Sequence, residues 1–242
     1  MQTVSPVANN LAMARERIAT AARRAGRTPE EVALMAVSKT FPPEVIRQAY
    51  EAGQRLFGEN RVQEFAGKFD VLHDLGGAEW HMIGHLQSNK AKKAAELFAA
   101  VDSVDSLALA EKLNATAESL GKRMAVLIEI NIGGETAKSG VAPDSPELER
   151  LLKGATRLDA LEFRGLMTVP PFTEDPQQAR PYFRRLRQLR DQIASRRLPG
   201  ITMNVLSMGM SHDFEVAIEE GSTCVRLGTA IFGEREKPAI SS

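Results

Sequence analysis

The sequence predicts an α/β fold: a single (β/α)8 TIM-type barrel over residues 1–242 with an additional N-terminal helix. Three observations carry that expectation. Eight short apolar runs, each ending on a turn signal, alternate with segments of helical periodicity. Neither a linker, nor a composition shift, nor an internal repeat divides the chain. Its 242 residues match the roughly 250 typical of such barrels. A doubly wound open sheet is the alternative, because the strand count is read from short segments whose boundaries shift by a few residues.

Val7, Leu11, Ala14, Ile18 and Ala22 recur at helical spacing, so residues 6–25 read as an amphipathic helix that Gly26 ends. Thr28-Pro29-Glu30-Glu31 carries a capping-box pattern with proline at the first helical position, which predicts one short turn. Residues 33–38 are the first strand, because five consecutive apolar residues before a turn signal suit a strand covered on both faces. Pro42-Pro43 opens a helix that runs through Tyr50 and stops at Gly53. Residues 55–57 form the second strand, ending in Gly58-Glu59-Asn60, and 61–74 are helical. Residues 80–83 are the third strand, ending in Gly84-His85. A lysine- and alanine-rich helix over 88–98 precedes a fourth strand at 100–103. A helix at 107–120 leads to a fifth strand at 125–130 and a glycine-containing loop at 131–135. A helix at 146–158 precedes the sixth strand, 163–167, which ends at Thr168-Val169-Pro170-Pro171. A long arginine-rich helix over 175–196, a strand at 202–206, a helix at 212–220 and a strand at 223–227 complete the alternation and leave a short tail.

Lys plus Arg and Asp plus Glu are 31 each, so no net field draws the protein to nucleic acid or to an anionic membrane. One cysteine, Cys224, excludes an internal disulfide and a multi-cysteine metal site. Asn9 and Asn10 interrupt any signal-type apolar core, and no apolar run approaches the ~18 residues of a membrane helix. A cytoplasmic location is expected. So is a monomer, since no large apolar stripe remains beyond the expected cores.

Ligands bind at the carboxyl ends of strands in such folds, so the strand ends are where chemistry should collect. Those ends place Lys39, Asn60, His85, Met167, the run Ser207–Ser211 and Gly228-Thr229 on one face. Lys39 can meet a substrate or cofactor there, or be a solvated loop lysine. The last two groups follow strands seven and eight, where barrels commonly hold a phosphate with loop amides. Gly209 permits close backbone approach, and Ser207, Ser211 and Thr229 offer hydroxyl donors, although Gly and Ser also punctuate ordinary turns. Arg226 lies within strand eight, where burial demands either an ion-pair partner or a ligand. A phosphate site, a strand-end lysine and an inward arginine together point to pyridoxal 5'-phosphate, with a Schiff base on the lysine and the arginine facing the pyridine nitrogen.

Other patterns carry less. His81 and His85 are four apart, but on a strand and its following loop, with Met82 where a helical zinc-protease motif needs glutamate. Neither a phosphate-binding loop for nucleotides nor a G-x-S-x-G elbow is present. Arg184, Arg185, Arg187 and Arg190 read as the solvated face of a helix.

Six segments together resemble the pyridoxal phosphate homeostasis protein family, which is related to the N-terminal barrel of alanine racemase. They are AVSKT at 36–40, FGENRVQE at 57–64, WHMIGHLQSNK at 80–90, GLMT at 165–168, LSMGMSHDFEVAI at 206–218 and VRLGTAIFGER at 225–235. The resemblance implies a barrel with pyridoxal phosphate on Lys39 and Arg226 near the pyridine nitrogen. It also implies phosphate contacts from Ser207, Gly209, Gly228 and Thr229, with Asn60 and Met167 near the cofactor. Alanine racemase completes its site with a second, β-rich domain and a partner subunit, whereas here 14 residues follow Gly228.

Racemisation needs a proton donor or acceptor on each face of the substrate carbon, and a lysine supplies one. Tyr50 and Tyr182 both fall on predicted helices. An arginine opposite the pyridine nitrogen disfavours its protonation and weakens the cofactor as an electron sink. The expected function is therefore a protein that holds, buffers or delivers pyridoxal 5'-phosphate, with PLP-dependent apo-enzymes as possible recipients and no efficient turnover. The competing expectations are a small open-site amino-acid racemase or decarboxylase, and an interaction scaffold without cofactor.

Overall fold

The computed structural model describes residues 5–135 and 138–234. Eight parallel strands, β1 (Ala33–Val37), β2 (Leu56–Glu59), β3 (Glu79–Met82), β4 (Ala100–Val104), β5 (Met124–Glu129), β6 (Leu161–Met167), β7 (Ile201–Met210) and β8 (Cys224–Leu227), form a closed barrel in sequence order. The seam is β8 against β1, with Met35 opposite Arg226 and Ala36 opposite Leu227. The expected (β/α)8 barrel is the one observed, and the open sheet is excluded by that seam.

The helices wrap the barrel: α1 (Pro6–Arg24), α2 (Pro43–Glu51), α3 (Val62–Leu72), α4 (Ala91–Leu97), α5 (Leu107–Ser119), α6 (Pro146–Ala155), α7 (Arg180–Ser195), α8 (Phe214–Glu219) and α9 (Thr229–Phe232). α1 starts where Ser5 Oγ accepts the Ala8 N–H at 3.2 Å with Pro6 at its first position. Its apolar stripe Val7, Leu11, Ala14 and Ile18 is buried, and it lies against α8 and α9. The capping box at Thr28 forms as expected, with the Thr28 N–H donating to Glu31 Oε1 at 2.9 Å.

Between the barrel and its helices the core is predominantly apolar. Around β2, β3 and α3 it is aromatic: Phe57 stacks on Trp80 at 4.7 Å between ring centroids, and Phe65 touches both Trp80 and Phe98 at 4.8 Å. Truncating one such buried ring costs about 3–5 kcal/mol, so this cluster anchors α3 on β2 and β3.

Three boundaries differ from the sequence expectation. β7 continues four residues past Leu206, so Ser207 and Gly209 lie on a strand and not in a loop. The strand persists because β8 and its lead-in satisfy its backbone: Thr223 Oγ1 accepts the Leu206 N–H at 2.8 Å, and Ser222 Oγ donates to Met208 O at 2.7 Å. An extra residue between the pairs Ser207–Cys224 and Met210–Arg226 makes a bulge. α9 was not expected in the tail. The arginine-rich helix begins with a 3₁₀ turn at Pro176–Ala179, and its arginines are not simply solvated: Arg180, Arg184 and Arg187 converge on Glu220 at 3.0, 3.1 and 3.5 Å. Arg185 and Arg190 remain with surface partners, Asp144 and Asp191.

Candidate functional site

A cavity of about 560 Å³ opens at the carboxyl ends of the strands, a normal size for a small-molecule site. Its wall includes Lys39, Asn60, Arg226, Gly228 and Thr229 among the residues picked out from the sequence. Met167, Ser207 and Gly209 stand behind the wall. Met167 ends β6 fully buried, and its carbonyl accepts the Ile130 N–H at 2.8 Å. Gly209 has φ +94, and a Cβ there would meet Ala217 Cβ at 2.6 Å, so its glycine serves the bulge and the close approach of α8.

Lys39 sits two residues past β1 on a turn held from both sides. Ser38 Oγ donates to Glu59 Oε1 at 2.7 Å, and the Thr40 N–H donates to Glu64 Oε1 at 2.5 Å. Thr40 adopts φ 69, a conformation that costs a β-branched residue about 1–3 kcal/mol and persists only where surroundings enforce it. The Lys68 ammonium, on α3, bonds Glu64 Oε1 at 2.7 Å, Ser38 O at 3.2 Å and Glu59 Oε1 at 3.3 Å. Burial pushes the Glu59 carboxyl up against the opposing pull of Lys68 and Ser38. Burial also acts on Glu64, but Lys68 and the Thr40 N–H outweigh it and hold that carboxyl down.

Arg226 is 3% exposed. Its Nη1 donates to Ser207 Oγ at 2.8 Å and its Nη2 to Thr168 O at 2.7 Å. Among the described residues it forms no salt bridge, so two neutral oxygens orient a buried guanidinium that borders the cavity. Burial lowers its proton affinity, opposed by the field of Cys224, Asp102, Glu129 and Asp213. Ser207 is thus an orienting group for Arg226.

The loops after β7 and β8 meet over the same cavity, where the Ala230 N–H donates to Ser211 Oγ at 3.3 Å. Gly228 precedes α9; a Cβ there would lie 3.5 Å from Val37 O, an ordinary contact. Its bareness is therefore not demanded by packing and leaves open space on the cavity side. The opposite holds at Gly84, where a Cβ would fall 2.3 Å from Asn60 O, which fixes Asn60 against the β3 loop.

The structure adds residues that sequence reasoning passed over. Glu129, the last residue of β5, is 7% exposed and lines the cavity. Its Oε1 accepts Ser139 Oγ at 3.1 Å, while its buried Oε2 has no hydrogen-bond partner among the described residues. Burial pushes this carboxyl up, and Asp105 adds to the effect. A glutamate inside the apolar run 125–130 was the available signal, since a charge in a buried strand needs a reason. Lys138, paired with Glu135 at 2.5 Å, and Asn131 complete that side. His85 lines this cavity, whereas His81 faces a second one of about 300 Å³ bounded by the amino ends of the strands and bonds Asp102 at 3.1 Å. Among the described residues no group of three or more His, Cys, Asp or Glu side chains could hold a metal ion, and no helix is long and apolar enough to cross a membrane.

Comparison with known proteins follows the same lines. Residues 10–236 match the family model for the alanine racemase N-terminal domain. The chain is 48% identical to the pyridoxal phosphate homeostasis protein of Aquifex aeolicus over 91% of its own length and 95% of that protein's. It is 44% identical to the Escherichia coli K12 protein of that name, over 96% and 98%. The solved structure of PipY from Synechococcus elongatus PCC7942 with PLP bound superposes with a TM-score of 0.81 at 38% identity, over 94% of this chain and all of that one. The chain belongs to the pyridoxal phosphate homeostasis protein family, built on the alanine racemase N-terminal barrel.

Proposed function

We propose that this protein holds pyridoxal 5'-phosphate in the cavity at the carboxyl ends of its strands, as a Schiff base on Lys39, and serves to buffer or deliver the cofactor without efficient turnover. The observation that carries this reading is the convergence of Lys39, the buried Arg226 and the joined β7 and β8 loops on one cavity. The residues fit the group. Lys39 offers an amine, Gly228, Thr229 and Ser211 offer small polar groups at the phosphate position of barrels, and Arg226 offers a fixed cation deeper in. When bound, the cofactor supplies an aldehyde and an electron-withdrawing ring. Arg226, held by Ser207 and Thr168, would present a positive charge to that ring and so oppose protonation of its nitrogen. The relatives' name and the PLP in PipY support the assignment. Cytoplasmic location and transfer to PLP-dependent apo-enzymes belong to the same proposal.

One observation favours the competing racemase or decarboxylase reading: Glu129 is a second proton-exchanging group in the cavity. The tyrosines do not help that reading. Tyr50 lies in α2 with its hydroxyl donating to Gly76 O at 2.8 Å, and Tyr182 lies in α7. Borohydride reduction of the loaded protein followed by peptide mapping tests the assignment, with a phosphopyridoxyl group expected on Lys39. Label on another residue overturns it. Deuterium exchange at Cα of a panel of L-amino acids tests the lack of turnover, and rapid exchange would establish the enzyme.

A further inference from the structure

The cluster beneath the Lys39 turn has a construction that packing alone does not call for. Lys68 is buried on the inner side of α3, and its three N–H donors have three acceptors, Ser38 O, Glu59 Oε1 and Glu64 Oε1. Every acceptor leads back to the residues flanking Lys39. Ser38 O belongs to the peptide group that joins Ser38 to Lys39. Glu59 Oε1 also accepts Ser38 Oγ, and Glu64 Oε1 also accepts the Thr40 N–H. One ammonium therefore ties down the peptide before Lys39 and, through Glu64, the left-handed residue after it. Burying a lysine with two carboxyls is a poor route to stability, since desolvation opposes the attraction and an apolar residue would fill the space as well. What the arrangement provides is a fixed backbone on both sides of a flexible, four-carbon side chain.

We propose that Lys68 is a positioning residue for Lys39: through Ser38, Glu59 and Glu64 it sets the turn from which the Lys39 amine reaches the cofactor. The inference rests on the reading of Lys39 as the attachment point. In that step the Lys39 amine and the cofactor's aldehyde form a carbon–nitrogen double bond and release one water, with no oxidant or reductant. A misplaced amine slows this condensation without altering the rest of the cavity, because Lys68 does not line it.

The test compares covalent loading with non-covalent binding. Lys68→Met, Lys68→Arg, Glu64→Ala and Lys39→Ala are made in the full chain and checked by circular dichroism. Covalent loading by pyridoxal 5'-phosphate is followed by the absorbance of the lysine-bound form. Pyridoxamine 5'-phosphate, which has no aldehyde, reports the cavity alone. Lys68→Met is expected to slow covalent loading by about tenfold or more, with the affinity for pyridoxamine 5'-phosphate within about twofold of wild type and Lys68→Arg restoring much of the rate. Glu64→Ala, which releases Thr40 and leaves Lys68 with Glu59, is expected to act in the same direction and decides the matter where Lys68→Met does not fold. Loading by a folded Lys68→Met or Glu64→Ala protein within about twofold of wild type overturns the inference. So does an equal loss of pyridoxamine 5'-phosphate affinity, which would mean a collapsed cavity. Lys39→Ala separates the two levels: loss of the lysine-bound absorbance keeps the Lys39 reading intact whatever Lys68 does, and its survival removes that reading.

Discussion

Arg226 was legible as a problem before its surroundings were known, because a guanidinium inside a barrel strand must find compensation. Its protein partners are neutral, a hydroxyl and a carbonyl, so the compensation is incomplete without an acceptor in the cavity. Arg226→Gln should cost about 1–3 kcal/mol in urea unfolding, through Ser207 and Thr168 losing a strong donor. It should also displace the absorbance maximum of the bound cofactor. An unchanged spectrum with a full stability loss would reduce Arg226 to a structural role. Glu129 gives a fainter signal, one glutamate in a strand of apolar residues, which gains meaning from its burial and from an Oε2 without a partner among the described residues. Because burial raises its proton affinity, the folded protein keeps a proton that the unfolded chain has released. Its stabilising contribution is complete below the ordinary carboxylate range and is lost as pH rises through the folded value. Glu129→Gln should therefore leave stability near pH 5 within about 1 kcal/mol of wild type. It should make the fall above the ordinary carboxylate range shallower, as read by urea midpoints.

At the level of elements, alternating periodicities located all eight strands, but the length of β7 depended on contacts the sequence does not display. Ser222 and Thr223 supply the hydrogen bonds that keep residues 206–210 extended, from positions more than a dozen residues away. The same displacement moved Ser207 and Gly209 from a presumed phosphate loop to the layer behind it. The two glycines of this region should consequently respond in opposite ways. Gly209→Ala forces φ +94 on alanine and drives its Cβ into Ala217, for an expected loss of about 2–4 kcal/mol in thermal or urea unfolding. Gly228→Ala meets only an ordinary contact, so stability should change by less than about 1 kcal/mol while affinity for the cofactor falls. Equal effects at both positions would dissolve the distinction between a scaffold glycine and a site glycine. The Lys68 cluster lay beyond sequence reading for the same reason as the β7 extension: β1, β2 and α3 each contribute to it, and no single segment carries its pattern.

For the whole molecule, buried ionisable groups oppose one another across the pH scale. Glu59, Glu129 and Asp213 are pushed up chiefly by burial, and their stabilisation fades as pH rises. For His81, burial alone would lower the proton affinity, but Asp102 outweighs it, so this contribution too is present below the ordinary histidine range and lost above the folded value. Glu64 and Glu220 act in reverse. Burial pushes both up, but Lys68 and the Thr40 N–H outweigh it at Glu64 and Arg184 and Arg180 outweigh it at Glu220, so both are held down and their stabilisation is lost as the pH falls. Stability should peak between these regimes. His81→Gln should lower the urea midpoint below the ordinary histidine range, where the pair with Asp102 contributes, and converge on wild type above the folded value, a comparison that urea midpoints from pH 5 to 9 would settle.

The seam between β1 and β8 also sets an order in time. Lys39 leaves the ribosome 187 residues ahead of Arg226, roughly ten to forty seconds at common synthesis rates. Throughout that interval the amine exists without the strand, the guanidinium or the loop that will enclose it. Under the proposed attachment to Lys39, a cavity able to enclose the cofactor is complete only once β8 docks beside β1.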